Sequence, residues 1–445
     1  MKSNQRFNIH IIDSPQDRAI LIGLQTNDRT SYDVEESLQE LKDLARTAQV
    51  EVVQIEIQQR PAQHPAYFIG SGKAKEIGSL AKQNNVNVII FDDNLTPSQD
   101  RNLSKITKKR IIDRSQLILD IFAQHAQTRQ SKLQVELAQL QYNLSRLRGK
   151  WTHFSRIEGG IGFRGPGEKQ LEIDRRRIND RIAHLKTKLQ EIEQTNEIKR
   201  KCRTNLFSVS LVGYTNAGKS TILNRLTSSN LYTADKLFAT LETTTRGKKL
   251  RTKEHIVISD TIGFIRKIPP YLIASFHATL QEVICADLLL HVVDISHPKI
   301  YEYIDSVSQT LKTIQADQKD IIVLFNKTDL LSENQFLFMR KKLRMDYPDS
   351  LFVSARTGQH FDEIENAISK ILSQRKKDIT LKIPNDEQKF ISYLYDNTQI
   401  LEKRYNNDFV LMRVNVPLEK YALHFSLFRN FEIKTKQMMK REAEL

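Results

Sequence analysis

The stretch GYTNAGKS, residues 213–220, has the residue types and spacing of a phosphate-binding loop, and it lies between an apolar run and a helical pattern. Gly213 and Gly218 let the backbone curl around phosphate groups. Lys219 can offset the charge of the β- and γ-phosphates, and the hydroxyl of Ser220 can bind Mg²⁺. This stretch predicts a nucleoside triphosphate and leaves the base open.

The segment NKTD, residues 326–329, follows the apolar run IIVLF and indicates which base is bound. The carboxylate of Asp329 can accept hydrogen bonds from N1–H and the exocyclic amine of guanine, a pair of donors that adenine lacks. Asn326 and Lys327 would brace the loop and the ring. Further on, SAR (354–356) ends a strand pattern, where a backbone N–H can meet O6 of guanine. Together these motifs predict a guanine nucleotide site.

The segment DTIG, residues 260–263, is typical of a loop that senses the γ-phosphate. Asp260 would hold the metal through a water molecule, and Gly263 would donate its N–H to the γ-phosphate. Ras-type enzymes follow this segment with a glutamine that orients the attacking water, whereas this chain has Phe264. Because phenylalanine forms no side-chain hydrogen bond, we expect slow intrinsic hydrolysis that a partner accelerates.

The threonine-rich stretch FATLETTTR, residues 238–246, suits a switch loop that orders around the γ-phosphate. Thr240 is our choice for the second hydroxyl on Mg²⁺, and Thr243, Thr244 and Thr245 are competitors. The predicted catalytic residues are Lys219, Thr240 and Gly263, and the predicted metal ligands are Ser220 and Thr240. The predicted nucleotide contacts are Gly213, Tyr214, Thr215, Asn216, Ala217, Gly218, Lys219, Ser220, Phe238, Ala239, Thr240, Leu241, Glu242, Asp260, Thr261, Ile262, Gly263, Asn326, Lys327, Thr328, Asp329, Ser354, Ala355 and Arg356.

No glutamine follows the DTIG segment, so another group must stabilise the developing charge. Arg246 and Arg266 are the arginines of this chain to be tested for that role. Asn216 occupies the loop position that potassium-dependent GTPases share, so a monovalent cation such as K⁺ is a second candidate.

The elements that position these motifs indicate an α/β protein. Over residues 205–373, five strand patterns alternate with helical patterns, which predicts a doubly wound, mostly parallel sheet. The five are FSVSLVG, HIVISD, LLLHVVD, IIVLFNK and LFVSA.

Residues 1–115 predict an N-terminal α/β domain with strands at RAILIGL, EVVQIEI and VNVIIFDD and a helix that begins at Thr96-Pro97. Residues 374–445 predict a small C-terminal α/β domain and indicate no chemistry.

The stretch GSGKAKEI, residues 70–77, resembles a second phosphate loop. A lone glycine pair with one lysine is a weak signal. We therefore favour a tight turn that opens a helix.

Residues 116–204 carry two heptad patterns around a loop, which predicts an antiparallel coiled-coil hairpin. The apolar positions are Leu133, Leu137, Leu140, Leu144 and Leu147, then Leu171, Ile178, Ile182, Leu185, Leu189 and Ile192. The loop GKWTHFSRIEGGIGFRGPG (149–167) mixes aromatic residues with Lys150, Arg156 and Arg164. A flexible connector is one interpretation. We favour contact with RNA, through stacking on bases and arginines on phosphates.

The charge and composition of the chain support a nucleic-acid partner. The formal net charge is +15, and residues 101–204 hold 24 Lys or Arg against 11 Asp or Glu. Only two cysteines occur, which fits a reducing cytoplasm. The start MKSNQRFN lacks the apolar core of a signal peptide, and LLLHVVDI is too short to span a bilayer. We expect a cytoplasmic monomer.

The chain resembles the HflX family of ribosome-associated GTPases over roughly residues 15–375. The resemblance lies in GGIGFRGPGEKQLEIDRR, GYTNAGKST, FATLETTTR, DTIGFIRKIPPYLIASFHATLQEV, ADLLLHVVDISHP and IGSGKAKEI. Four positions depart from the family pattern: Lys169, Ile173, Thr243 and Lys267.

This resemblance implies GTP hydrolysis with Mg²⁺, binding to the large ribosomal subunit and its ribosomal RNA, and splitting or rescue of stalled ribosomes. It also implies that the glycine-rich loop points towards the peptidyl-transferase region, and some relatives confer antibiotic tolerance. The alternative is a signalling GTPase with a protein effector, in which the basic hairpin is merely solvated. An RNA-remodelling ATPase is disfavoured by Asp329.

Overall fold

The computed structural model describes residues 17–150, 166–201, 206–227, 243–252, 254–267 and 277–433. The chain divides into two compact units. The first comprises Met1–Lys201, Ser208–Gly247 and Val257–Gly358, and the second comprises Cys202–Phe207, Lys248–Ile256 and Gln359–Leu445. The division into four domains at residues 115, 204 and 373 stays a prediction.

The N-terminal part of the first unit is a four-stranded parallel sheet with strand order β2-β1-β3-β4. The strands β1 to β4 are Arg18–Gln25, Glu51–Gln59, Val88–Phe91 and Arg110–Asp113. The helices α1 to α4 are Ser31–Thr47, Ser71–Gln83, Pro97–Thr107 and Arg114–His125. Because successive strand side chains point to opposite faces, Leu21 packs in one core with α1 and α4, while Ile22 packs in a second core with α2 and α3.

Two local predictions in this sheet are confirmed. The helix α3 has Pro97 in its first turn, and Thr96 and Gln99 form a reciprocal capping box before it. The stretch that begins at Gly70 opens α2, with Gly70 as the residue that precedes the first helical turn.

The predicted coiled-coil hairpin is present as α5 (Arg129–Lys150) and α6 (Pro166–Lys201). The apolar seam consists of Leu133, Leu137, Leu140, Leu144, Ile178, Ile182, Leu185 and Leu189. Glu136 pairs with Arg181 and Gln130 with Asn196, so the two helices run antiparallel. The side chains of Leu147 and Leu171 lie outside the described residues. In the described part of the chain, no helix is both long and apolar enough to cross a membrane.

A six-stranded sheet with order β10-β9-β8-β5-β7-β6 carries the predicted phosphate and base motifs. Its strands β5 to β10 are Phe207–Gly213, Thr244–Lys249, His255–Asp260, Leu288–Asp294, Asp320–Asn326 and Leu351–Phe352. The helices α7 to α10 are Lys219–Thr227, His277–Ile284, Ile300–Thr313 and Glu333–Asp346, and a 3₁₀ turn spans Thr328–Leu330. Strand β5 is parallel to β8, β8 to β9 and β9 to β10, as the alternating pattern predicts.

The sequence does not predict strand β6. Its residues TTRGKK are polar and largely exposed, so they show no apolar alternation. The strand lies at the edge of the sheet, where only one side needs a hydrogen-bonding neighbour.

The second unit contains α11 (Phe361–Gln374) and a three-stranded antiparallel sheet with order β11-β13-β12. The strands β11 to β13 are Lys376–Pro384, Gln399–Tyr405 and Phe409–Pro417, and the helices α12 to α14 are Gln388–Asn397, Leu418–Leu423 and Phe425–Phe431. The core of this sheet joins Leu381 and Met412 to Phe390 and Phe428.

Candidate guanine nucleotide site

The loop between β5 and α7 needs its two glycines for steric reasons. Gly213 has φ +152°, and a Cβ placed on it would lie 2.2 Å from the carbonyl oxygen of Val292 in the adjacent strand β8. Gly218 has φ +96°, and its Cβ would lie 2.3 Å from Nδ2 of Asn326. The loop is therefore drawn against the sheet at both ends, and a larger residue at either position would displace it.

Lys219 begins α7 and turns back over this loop. Its Nζ donates hydrogen bonds to the carbonyl oxygens of Gly213 at 3.1 Å and Tyr214 at 2.7 Å. Burial lowers the pKa of Lys219 to about 8, and the charge of Asp260 opposes that shift. The ammonium group is thus held over the loop by two carbonyl oxygens, and its contact with phosphates stays a prediction.

Ser220 and Asp260 are brought together beside Lys219. The hydroxyl of Ser220 donates a hydrogen bond to Oδ2 of Asp260, and the backbone N–H of Thr261 donates to Oδ1 at 3.0 Å. The hydroxyl of Thr261 is buried and donates to the carbonyl oxygen of Leu211 at 2.6 Å, which fixes the end of β7 against β5. A hydroxyl and a carboxylate that converge in this way are oxygen donors of the kind that Mg²⁺ prefers.

Gly263 lies directly against the phosphate-binding loop. A Cβ on Gly263 would come within 2.7 Å of Cγ2 of Thr215 and 3.0 Å of Nζ of Lys219. Ile262, the residue before it, packs in the core that α1 and α4 form with the N-terminal sheet. The DTIG segment itself is thus held between the two sheets of the first unit.

Phe264 is a core residue and is only 3% exposed. Its ring packs with Val212, Leu280 and Val283, among others. Its backbone pairs with the phosphate-binding loop: its N–H donates to Gly213 O at 3.0 Å, and its carbonyl accepts from Thr215 N at 2.8 Å. The side chain therefore fills the interior of the domain and cannot face the site of hydrolysis.

Asn326 joins the phosphate-binding loop to the SAR segment. Its Nδ2 donates to the carbonyl oxygen of Ala217 at 2.8 Å, and its Oδ1 accepts from the backbone N–H of Ala355 at 2.9 Å. The side chain is 1% exposed, so both bonds are shielded from water. One asparagine thereby fixes the positions of two of the predicted nucleotide-contacting segments.

Asp329, which the sequence predicts to bind the base, contacts the SAR segment. Oδ1 of Asp329 accepts a hydrogen bond from the hydroxyl of Ser354 at 2.6 Å, and Lys327 pairs with Asp294 at 2.6 Å. Lys327 has a left-handed backbone with φ +66°, which turns the chain sharply after β9. Thr328 lies in the 3₁₀ turn that follows. Arg356 is exposed, and its carbonyl oxygen accepts from Arg225 at 3.5 Å.

The first five residues of the predicted switch loop lie outside the described residues. This applies to Phe238, Ala239, Thr240, Leu241 and Glu242, so the choice of Thr240 stays a prediction. Of its competitors, Thr245 lies in β6, where its hydroxyl is 3.1 Å from that of Ser259.

Of the two arginines proposed to supply positive charge, Arg266 is engaged elsewhere. Its guanidinium pairs with Glu36 of α1 at 3.0 Å and with Glu302 of α9 at 2.5 Å. Arg246 is exposed on β6. Asn216 is exposed at the tip of the phosphate-binding loop with φ +60°.

The sequence analysis missed the acidic face of α1 that packs against the phosphate-binding loop. Glu40 accepts a hydrogen bond from the hydroxyl of Tyr214, and Glu36 pairs with Lys299 at 3.0 Å. Asp33, which also pairs with Lys299, completes the face. The spacing of Asp33, Glu36 and Glu40 puts all three on one side of a helix, and this was the available signal.

His291 of β8 was also missed. It is buried beside the phosphate-binding loop, and it pairs in the sheet with Val212 of β5. Burial lowers the pKa of His291 to about 4, and the charge of Lys219 adds to the shift. The imidazole is therefore neutral at physiological pH.

Three family models match this chain in succession. Residues 35–123 match "GTP-binding GTPase N-terminal", residues 125–203 match "GTP-binding GTPase Middle Region", and residues 208–327 match "50S ribosome-binding GTPase".

Whole-length relatives agree with these matches. GTPase HflX of Escherichia coli (strain K12) is 42% identical over 387 residues, which cover 86% of this chain and 90% of that protein. GTPase HflX of Lacrimispora saccharolytica is 40% identical over 409 residues, covering 92% and 95%. Among solved structures, a GTP-binding protein from Sulfolobus solfataricus in complex with GDP matches at 23% identity and a TM-score of 0.43, over 80% of this chain and 99% of that one.

Proposed function

Because this chain belongs to the HflX family of GTPases, we propose that it acts in the cytoplasm on the large ribosomal subunit, where it splits or rescues stalled ribosomes. The chain hydrolyses GTP to GDP and phosphate, and it carries a ribosome-binding GTPase domain. Release of stalled ribosomes would also give tolerance to antibiotics that stall them, and we include that role in the proposal.

The observation that carries this proposal is a guanine nucleotide site joined to a strongly basic helical hairpin. Residues 101–204 hold 24 of the 68 basic residues of the chain, with 11 acidic ones, and most of the 24 belong to the sequences of the two long helices α5 and α6. Such a concentration of positive charge favours binding to the phosphate backbone of ribosomal RNA. The loop at residues 149–167 would contact that RNA through its aromatic residues and its cations.

The residues around Ser220 fit a Mg²⁺ ion. The ion would be held by the hydroxyl of Ser220, with Asp260 behind it and Thr240 as the proposed second hydroxyl. Bound with GTP, Mg²⁺ would neutralise charge on the β- and γ-phosphates.

The other groups of the site bind and orient the nucleotide. The carboxylate of Asp329 would accept from guanine, while Asn326 keeps the phosphate-binding loop and Ala355 in fixed relative positions. The ammonium of Lys219 would meet the phosphates, and the N–H of Gly263 would meet the γ-phosphate. These contacts secure GTP but leave the attacking water without a side chain to orient it, since Phe264 is buried in the core.

Binding to the ribosome would hold the switch segments in place around the attacking water and so orient it. A monovalent cation such as K⁺ beside Asn216 is a second source of positive charge. Single-turnover GTP hydrolysis, measured with and without purified large subunits and in K⁺ or Na⁺ buffers, tests both statements.

We expect a large acceleration by subunits, with a Lys219→Ala variant as the background control. Fast hydrolysis by the isolated protein that subunits leave unchanged would contradict the proposal. Acceleration by a purified protein effector but not by subunits would favour a signalling GTPase instead.

A further inference from the structure

The helix α10 exposes large apolar side chains on its outer face. Leu337 is 57% exposed, Phe338 68% and Met345 76%. Interspersed with them are exposed polar and basic residues, and we define the outer face as Asn334, Leu337, Phe338, Lys341, Lys342, Arg344 and Met345. Single exposed apolar residues are common on protein surfaces, but a group of three on one helix face is typical of an interaction site.

The helical spacing places these residues on one side. At 3.6 residues per turn, Asn334, Phe338, Lys341 and Met345 are aligned along the helix, and Leu337 and Arg344 flank them. The opposite side of the helix is already anchored: Phe336, Met339 and Leu343 pack in a core with Phe325 and Phe352. The outer face is therefore not needed to hold α10 on its own domain.

The outer face is also positively charged. Lys341, Lys342 and Arg344 form no ion pair with any residue that the structure describes, although Lys342 lies 5.2 Å from the ring of Tyr301 and Arg344 lies 5.9 Å from that of Phe352. The acidic residues of this helix, Glu333 and Asp346, lie at its two ends. A partner must therefore offer apolar surface at the centre and negative charge around it.

We propose that the outer face of α10 is a docking surface for a protein of the ribosome that presents an apolar groove with an acidic rim. This inference rests on the proposed ribosomal function. Its three apolar anchors, Leu337, Phe338 and Met345, lie at i, i+1 and i+8 on one side of the helix, and such a face suits insertion into a groove. Aromatic residues, Met and Arg are enriched at the centres of protein interfaces.

RNA fits this surface less well. Phosphates would satisfy the lysines, but Leu337 and Met345 offer neither a π-face for a base nor a hydrogen bond.

A photoreactive crosslink at position 338 tests the proposal. Benzoylphenylalanine replaces Phe338 in the full-length protein, which is then bound to purified large subunits in the presence of a non-hydrolysable GTP analogue. The complex is irradiated, and the crosslinked component is identified as protein or RNA. We expect one ribosomal protein to be labelled, within an acidic segment. The double variant Lys341→Glu, Arg344→Glu should reduce that adduct at least about tenfold, since reversed charges meet the acidic rim.

A matched probe at Lys312, an exposed position on α9, should not label that protein. Co-sedimentation with subunits is measured in parallel. Labelling of ribosomal RNA alone, or of no component while co-sedimentation is intact, would overturn the docking surface and leave the proposed function standing. Absence of co-sedimentation by the unsubstituted protein would overturn both.

Discussion

The hydroxyl of Tyr214 joins Glu40 of α1 to the segment after the DTIG motif: it donates to the Glu40 carboxylate and accepts from the backbone N–H of Arg266 at 2.9 Å. The ring of Tyr214 stacks on that of Tyr303, with centroids 4.1 Å apart and an angle of 5° between the planes. One side chain of the phosphate-binding loop thus connects helix α1 with the segment that follows the DTIG motif.

Tyr214→Phe should destabilise the first unit by about 1–2 kcal/mol, because the change leaves the N–H of Arg266 without its acceptor while the ring stacking is preserved. Urea unfolding followed by intrinsic fluorescence measures the change. Tyr303→Phe is the matched control: its hydroxyl contacts two side chains, His297 Nε2 at 3.1 Å and Glu36 at 3.5 Å, and among the described residues it accepts from no backbone N–H, so its loss should cost less. Equal losses of unfolding free energy in the two variants would contradict a stabilising role of the Tyr214 hydroxyl between Glu40 and Arg266.

Asp120 should make stability fall as the pH rises. Burial raises the pKa of this carboxyl to about 7, Asp113 adds to the shift and Arg110 opposes it. Neither carboxylate oxygen has a hydrogen-bond partner among the residues that the structure describes. An aspartate in the unfolded chain has a pKa of about 3.9. Between that pH and the folded pKa of about 7, the folded chain therefore keeps a proton that the unfolded chain has released.

The contribution of Asp120 to stability is therefore complete below about pH 4 and is lost as the pH approaches 7. Asp120→Asn cannot ionise, and its stability relative to the parent protein should rise by roughly 4 kcal/mol between pH 4 and pH 8. Chemical denaturation of both proteins across this range measures the difference. A difference that stays constant with pH would contradict the buried-carboxyl argument.

Asp329→Asn should weaken GTP binding by about 3 kcal/mol, because an amide N–H₂ would face the donors of guanine. The same variant should gain affinity for xanthosine triphosphate, whose carbonyl oxygen replaces the guanine amine. Titration with fluorescent GTP and XTP analogues separates a change of base preference from general damage. Loss of affinity for both GTP and XTP would point to a disturbed loop, since the carboxylate also accepts a hydrogen bond from Ser354. Undiminished GTP affinity would refute the assignment of Asp329 to the base.

Local patterns predicted the sheet and the arrangement of the motifs because both depend on short segments. The apolar runs of β5 and β9 are followed by short loops whose predicted roles rest on the chemistry of single residues, Lys219 after β5 and Asp329 after β9. The contact between Glu40 and Tyr214 could not be predicted in this way, since 174 positions separate the two residues and only the assembled fold brings them together.

Replacing Lys150, Arg156 and Arg164 with alanine should weaken binding to large subunits and flatten its salt dependence. Each phosphate that a cation neutralises releases a counterion, so losing three contacts should lower the slope of log K against log salt by about 2. Residues 151–165 lie outside the described part of the chain. Sedimentation of the protein with subunits at several salt concentrations gives the slope.

A triple variant with the same change of charge provides the control for the hairpin. Lys75, Lys312 and Lys370 are exposed on α2, α9 and α11. Their replacement by alanine should leave the salt slope close to that of the parent protein. If both triple variants shift the slope equally, net charge accounts for the effect and the loop returns to the role of a connector.

Phe264 should prove to be a structural residue and not a catalytic one. Phe264→Ala should cost about 3–5 kcal/mol of stability, because it opens a cavity among Val212, Leu280 and Val283. Phe264→Leu keeps most of the volume and should cost less than about 1.5 kcal/mol. The ring of Phe264 faces the core, and its backbone hydrogen bonds to Gly213 and Thr215 do not depend on the side chain. The leucine variant should therefore hydrolyse GTP in single-turnover assays within about threefold of the parent rate, both with and without large subunits. A drop of a hundredfold or more in the leucine variant, with its stability and GTP affinity preserved, would assign the ring a direct part in the chemistry.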